Sequence, residues 1–159
     1  MSEELRTEAD AVAGRLPSLL RLATFLLGDV RAAEDVCQDV VAAVLPRLAS
    51  IENVDAYLRT AVVNGCRRVL RRRHTSDRTL GRLHERVAAA SHEEIEELVA
   101  RDAFFQALRS LTPAQRTVIV LTYYEDLGLD QVARVLTLPV GTVKSHLARG
   151  LVRLRKELS

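Results

Sequence analysis

The residues best suited to chemistry in this chain are basic and polar groups at helical spacing. Near the C-terminus stand Thr142, Lys144, Ser145, His146, Arg149, Arg153 and Lys156. Between them Val140, Val143, Leu147, Leu151, Leu154 and Leu158 recur at steps of three and four. The spacing predicts one amphipathic helix with an apolar seam and a basic, polar opposite face. A second cluster, Arg59, Arg67, Arg68, Arg71, Arg72 and Arg73, loads a central segment that also carries Tyr57 and Asn64. Guanidinium groups offer a planar fork to phosphate and to guanine edges. A third cluster is acidic. Glu34, Asp35, Gln38 and Asp39 stand at i, i+1, i+4 and i+5, which places them on one helix face as a negative surface for a partner.

Other chemistry is poorly supported. Magnesium sites usually recruit substrate phosphate and a tight octahedral shell, and nothing near the carboxylates supplies that. His74, His84, His92 and His146 have no zinc-ligand spacing. No nucleophile–base pair, glycine-rich phosphate loop or G-x-S-x-G stands out. The expectation is a protein without catalytic residues, metal or cofactor. Three Phe, three Tyr and no Trp also argue against a large aromatic cofactor pocket. Cys37 and Cys66 lack a C-x-x-C partner and read as reduced core thiols of a cytoplasmic protein. No apolar run approaches the ~18 residues that span a bilayer, so no membrane insertion is expected. The acidic start, Met1-Ser2-Glu3-Glu4, does not have the layout of a signal peptide.

The elements that must position these groups are helices. The chain has 159 residues, 48% apolar and 28% charged, with few Gly and Pro, which suits one ordinary domain or two small ones. Leu19, Leu22, Phe25 and Leu26 mark a helix stopping near Gly28. A second runs from Ala32 to Leu48, bent or shortened by Pro46. Asn53 is a fair N-cap for a third helix to about Arg73. His74 to Ala90 reads as a linker, with a helical stretch around Leu80–Ala90. Ser91 and Glu94 fit a capping box opening a helix to about Arg109, and Thr112, Pro113 and Gln115 fit another. That last helix should run to about Glu125 and end at Gly128. A short helix, Leu129 to Leu136, buries Val132, Ala133 and Leu136. A tight connection at Thr137–Pro139 leads to the final helix, Val140 to Leu158.

A short helix, a three-residue turn and a longer basic helix make a helix-turn-helix, whose second helix enters the major groove by its N-terminal end. Thr142, Lys144, Ser145 and His146 would reach base edges, and Arg149 and Arg153 phosphates. The alternative is a solvated bundle helix, since basic residues near a C-terminus also suit the macrodipole. The Arg-rich segment suits single-stranded nucleic acid, with Asn64 or Tyr57 meeting an unstacked base. A soluble surface helix that attracts any polyanion is the alternative there. Net charge sharpens the picture. It is only +2 overall, but runs −5, +7, −5 and +5 over residues 1–58, 59–86, 87–130 and 131–159.

The order of parts resembles the bacterial RNA polymerase sigma factors, in the short extracytoplasmic-function (ECF) form. The carriers are A-E-D-V-C-Q-D, the Arg-rich helix with its central Asn, and a C-terminal stretch. That stretch reads L-T-P-A-Q-R-T-V-I-V-L-T-Y-Y-E-D-L, Q-V-A-R-V-L and V-G-T-V-K-S-H-L-A-R-G-L-V-R-L-R. The resemblance implies an all-α protein of two small helical domains joined by a flexible linker. They would be a region 2 module over residues 1–73, a linker over 74–91 and a region 4 module over 92–159. It implies that Glu34, Asp35, Gln38 and Asp39 dock on the β′ clamp of core polymerase, with the β subunit a further contact. Asn53, Tyr57, Arg59, Asn64, Arg67, Arg71 and Arg72, with the loop Ser50 to Asp55, would melt the minus-ten element and hold a flipped base. Thr142, Lys144, Ser145, His146, Arg149 and Arg153 would read the minus-thirty-five duplex. Promoter DNA and an anti-sigma factor are the other implied partners. The chain departs from the family at Tyr57, usually Trp, at Arg68, commonly acidic, and at Thr137 and Pro139, commonly Gly and Ser. A stand-alone helix-turn-helix regulator and a protein-binding adaptor without nucleic-acid function are the competing readings.

Overall fold

Asp29 and Asn53 set the starts of two helices in the N-terminal half. The Asp29 carboxylate accepts from the backbone N–H groups of Arg31 and Ala32, and the Asn53 side-chain oxygen accepts from Ala56 N–H at 3.1 Å. Each cap satisfies donors that the first helical turn leaves open and contributes about 1 kcal/mol. Gly28 ends the preceding helix at φ +68, its N–H donating to the Thr24 carbonyl at 2.7 Å.

A computed structural model describes residues 2–75 and 102–159. Its elements are α1 (Ser2–Leu27), α2 (Val30–Val44), a 3-10 turn (Leu45–Ser50) and α3 (Val54–Thr75). There follow α4 (Asp102–Arg109), α5 (Pro113–Ile119), a π-helical turn (Val120–Tyr124), α6 (Leu129–Leu136) and α7 (Val140–Leu158). Regular structure among the described residues is entirely helical. The chain divides into two compact units, Met1–Val69 and Leu70–Ser159.

In the first unit α1 packs on α2. Leu19, Leu22, Ala23, Phe25 and Leu26 of α1 are buried, as are Val36, Cys37, Val40 and Val44 of α2 and Leu58, Val62, Val63 and Cys66 of α3. Each large aliphatic side chain so buried contributes about 1.5–3 kcal/mol. α1 starts far earlier than its apolar stripe indicated, because its first two turns are dominated by charged residues, with Glu3, Glu4 and Arg6 exposed. α2 is shorter than expected. Pro46 cannot donate the helical bond, and the chain tightens into the 3-10 turn instead of reaching Leu48 as α-helix. Both cysteines are buried and reduced, and burial pushes the Cys37 thiol up to about 11.

In the second unit the expected capping box is present at α5. Thr112 Oγ1 accepts from Gln115 N–H, and Gln115 Oε1 accepts from Thr112 N–H. Gln131 repeats half of it, its Oε1 accepting from Gly128 N–H at 3.0 Å at the start of α6. The helix expected to reach Glu125 changes character at Val120. There Glu125 N–H reaches back to the Val120 carbonyl in a π-type bond, and Asp126 turns left-handed at φ 54. The core is made by Leu108, Leu111, Val118, Ile119, Val120, Leu121, Val132, Ala133, Leu136 and Val143. The apolar seam of α7 is less buried than its spacing suggested. Val143 and Gly150 are the α7 residues fully enclosed, and Leu158 is exposed. The linker, the stretch Leu80–Ala90 and the Ser91–Glu94 capping box lie outside the described residues.

Candidate nucleic-acid interfaces

The turn between α6 and α7 decides how the basic helix is presented. Leu138 N–H donates to the Ala133 carbonyl at 3.0 Å and Thr137 N–H to the Arg134 carbonyl at 3.3 Å. This is the double closure of a Schellman turn, with Thr137 in the left-handed region at φ 54. Pro139 then precedes α7, its carbonyl accepting from Thr142 and Val143 N–H. A helix-turn-helix is therefore in place, with α6 packed on α7.

At about 100° per residue, Ser145 and Arg149 lie near the middle of the exposed face of α7. Thr142, His146 and Arg153 lie on one flank, and Lys144 lies on the other, beside Arg155. Lys144, Ser145, Arg149 and Arg153 are exposed, whereas Thr142 and His146 are half-buried. The face is thus a broad convex surface and not a single row. Ser145 Oγ donates to the Gly141 carbonyl at 3.0 Å, so its hydroxyl is spent as a donor and offers its lone pairs outward.

α7 is seated by a close approach. A Cβ on Gly150 would lie 2.7 Å from Ile119 Cδ1 and 3.3 Å from Gln115 Cβ, so α5 and α7 meet at the glycine backbone. α5 is in turn tied to α4 by Arg116, which donates to the carbonyls of Leu108 (2.9 Å) and Leu111 (3.2 Å). These carbonyls belong to the end of α4 and the loop after it, where a cation is favoured. Burial, and then the neighbouring Arg109 charge, holds the Arg116 pKa below the ordinary guanidinium value.

α3 carries the other candidate interface. Tyr57, Thr60, Asn64, Arg67 and Arg71 follow one another up its outer side at steps of three and four, with Arg68 beside Arg67. Asn64 and Arg67 are half-buried, and Arg71 and Arg72 are exposed. Arg59 is not brought to this side. It is half-buried on the opposite flank of the helix. α3 is seated as α7 is, through a glycine: a Cβ on Gly65 would lie 2.8 Å from Val36 Cγ1 of α2. An ion pair between Arg15 of α1 and Asp55 in the first turn of α3 adds a tether at the start of the helix.

A cleft of about 450 Å³ opens at the foot of α3, lined by Arg47, Ser50, Ile51, Glu52, Asn53, Ala56, Tyr57 and Thr60. It is an open hollow in the surface and not an enclosed pocket. Asn53 and Tyr57 were predicted here, and Ser50 to Asp55 as a loop. Arg47 was not. Its signal is Pro46, whose break in α2 turns the next residue toward the loop. Arg47 Nη2 donates to Tyr57 Oη at 2.7 Å, and its guanidinium carbon stands 5.5 Å from the Tyr57 ring centroid.

The acidic group occupies the outer face of α2, with Glu34, Asp35, Gln38 and Asp39 all exposed. Among the described residues none of the three carboxylates is in an ion pair. Exposed Val30 and Leu45 stand at the two ends of this face.

Two family models match the chain in the order of these parts: "Sigma-70 region 2" over residues 12–75 and "Sigma-70, region 4" over residues 107–156. The chain is 34% identical to the RNA polymerase sigma-E factor of Streptomyces coelicolor, over 99% of this chain and 89% of that protein. It is 45% identical to the ECF RNA polymerase sigma factor SigW of Bacillus subtilis, over 33% of this chain and 28% of that one. Among solved structures it resembles the sigma factor RpoE of Bartonella quintana, crystallised with the anti-sigma factor NepR. The TM-score is 0.69 at 23% identity, covering 98% of this chain and 97% of that one. At that identity the likeness is one of fold.

Proposed function

We infer the function from one premise: the chain belongs to the bacterial RNA polymerase sigma factors, in their ECF class. It binds core RNA polymerase and promoter DNA and directs promoter-specific initiation, and it is not itself an enzyme. The observation that carries this is the pairing of a region 2 match and a region 4 match in one chain. A stand-alone duplex-binding regulator needs only the second of these, and an adaptor needs neither.

The division of labour among residues is our reading. We assign the region 2 module to residues 1–73, the linker to 74–91 and the region 4 module to 92–159. Glu34, Asp35, Gln38 and Asp39 dock on the β′ clamp. Their shared exposure on α2, without internal ion pairs, supports this. Asn53, Tyr57, Asn64, Arg67, Arg71 and Arg72 handle the separated minus-ten strand, with the cleft beneath Tyr57 taking an unstacked base. Arg59 contributes from its own flank through long-range charge. Melting energy comes from capturing that strand. Ser145 and Arg149 face base edges of the minus-thirty-five duplex, while Lys144, Thr142, His146 and Arg153 secure the flanks. An anti-sigma factor restrains these surfaces when the protein is idle. The site of action is the cytoplasm, with the polymerase, and no helix among the described residues is long and apolar enough to cross a membrane.

Run-off transcription with purified core enzyme and a panel of genomic promoter fragments tests the reading. Promoter-specific products that depend on this chain are expected. Folded protein that yields none across a broad panel would sink it.

A further inference from the structure

Arg47 holds Tyr57 by a hydrogen bond to the phenol oxygen, with the guanidinium carbon 5.5 Å from the ring centroid. Both residues are exposed, so the pair is not a requirement of core packing. The segment that carries Arg47 is itself held. Pro46 forces the 3-10 turn, and Ser50 Oγ donates to the Arg47 carbonyl at 2.6 Å, closing it. The pair stands over the cleft lined by Ile51, Asn53, Ala56 and Thr60.

We propose that Arg47 is a positioning residue for strand capture: by clamping Tyr57 it fixes the aromatic wall against which the unstacked base comes to rest. The proposal rests on the reading of this cleft as the base-holding part of the minus-ten site. An exposed tyrosine that rotates freely must be immobilised when a base stacks on it, and that ordering opposes binding. Arg47 orders the ring beforehand. The phenol makes this possible, because an aromatic ring alone would give the guanidinium a face to lie on but no acceptor to fix its angle.

The test uses the full chain assembled with core polymerase on a promoter carrying 2-aminopurine at successive non-template positions of the minus-ten element. Wild type should give a fluorescence change at the captured position. Arg47→Ala should slow its appearance about three- to tenfold, the scale of ordering one side chain. Tyr57→Phe keeps the ring and loses the acceptor, and should reproduce most of that loss. Adding Arg47→Ala to Tyr57→Phe should then change little, since residues that act as a unit are not additive. Arg47→Lys should restore part of the rate. Core binding and the unfolding temperature should stay at wild-type values in every variant. If wild type reports a captured base and Arg47→Ala matches it, or if the two losses simply add, the proposal falls and the reading of the site stands. If wild type gives no change at any position, the reading falls and takes the proposal with it.

Discussion

α3 and α7 are mounted alike and faced differently. Each sits on its scaffold through a glycine, Gly65 against Val36 and Gly150 against Ile119, so both helices approach their supports at backbone distance. Their outer surfaces diverge. α7 is convex, with exposed Lys144, Ser145, Arg149 and Arg153 and a left-handed turn in front of it. α3 rises from a cleft and carries a clamped aromatic at its foot. A convex basic helix suits a groove that already exists. A cleft beside an aromatic suits a base that has left its stack. One way of seating a helix thus serves two tasks, and the task is set by what surrounds the outer face.

The largest effect expected from separating the two surfaces is on specificity. Replacing Lys144 and Arg149 together by Ala should cut promoter-dependent run-off about a thousandfold, taking about 2 kcal/mol per duplex contact. Core binding should be unchanged. Asp35→Ala with Asp39→Ala should do the reverse, weakening co-purification with core while sparing duplex affinity. Equal loss of both properties in either pair would erase the division.

Arg116→Ala probes the mounting of α7 alone. It removes charged donors from the Leu108 and Leu111 carbonyls and should cost the second unit about 2–3 kcal/mol. Hydrogen exchange should rise in α4, α5 and α7 and stay unchanged in α1 and α2.

The two glycines should differ in tolerance. Gly65→Ala presses a new methyl against Val36 Cγ1, a β-branched and buried side chain with little freedom, so overpacking outweighs helix propensity and about 1–2 kcal/mol should be lost. Gly150→Ala meets Ile119 Cδ1, which can turn about its last bond, but also Gln115 Cβ at 3.3 Å, so it should lose less, about 0.5–1 kcal/mol. Gly14→Ala, with nothing within 4 Å, should stabilise by about 0.5–1 kcal/mol. Denaturant midpoints check the order. A gain of the same size is expected at the turn. Thr137→Gly relieves a β-branched residue at φ 54 and should add about 0.5–1 kcal/mol of stability.

The sequence made much of this plain, and for local reasons. Caps act within three or four residues, so Asn53 and the Thr112–Gln115 box could be read directly. The α6 and α7 limits could too, because apolar spacing and the Thr137–Pro139 turn agree there. What escaped was set by distance along the chain or by a single backbone bond. The Arg47–Tyr57 pair spans ten residues around a proline turn. Arg116 reaches back eight residues to the Leu108 carbonyl. The π-helical turn at Val120–Tyr124 differs from α-helix by one extra residue per bond and has no composition signal. Arg59 went with its neighbours by charge, yet helical rotation carries it to another flank.

The central claim is that α3 acts on separated strands and α7 on duplex. Run-off from a promoter whose minus-ten element is already opened by mismatches tests it most directly. Asn64→Ala and Tyr57→Ala should be impaired on the paired promoter and recover most of their activity on the mismatched one. Lys144→Ala with Arg149→Ala should stay impaired on both. Equal recovery by the two sets, or recovery by neither, would contradict the account.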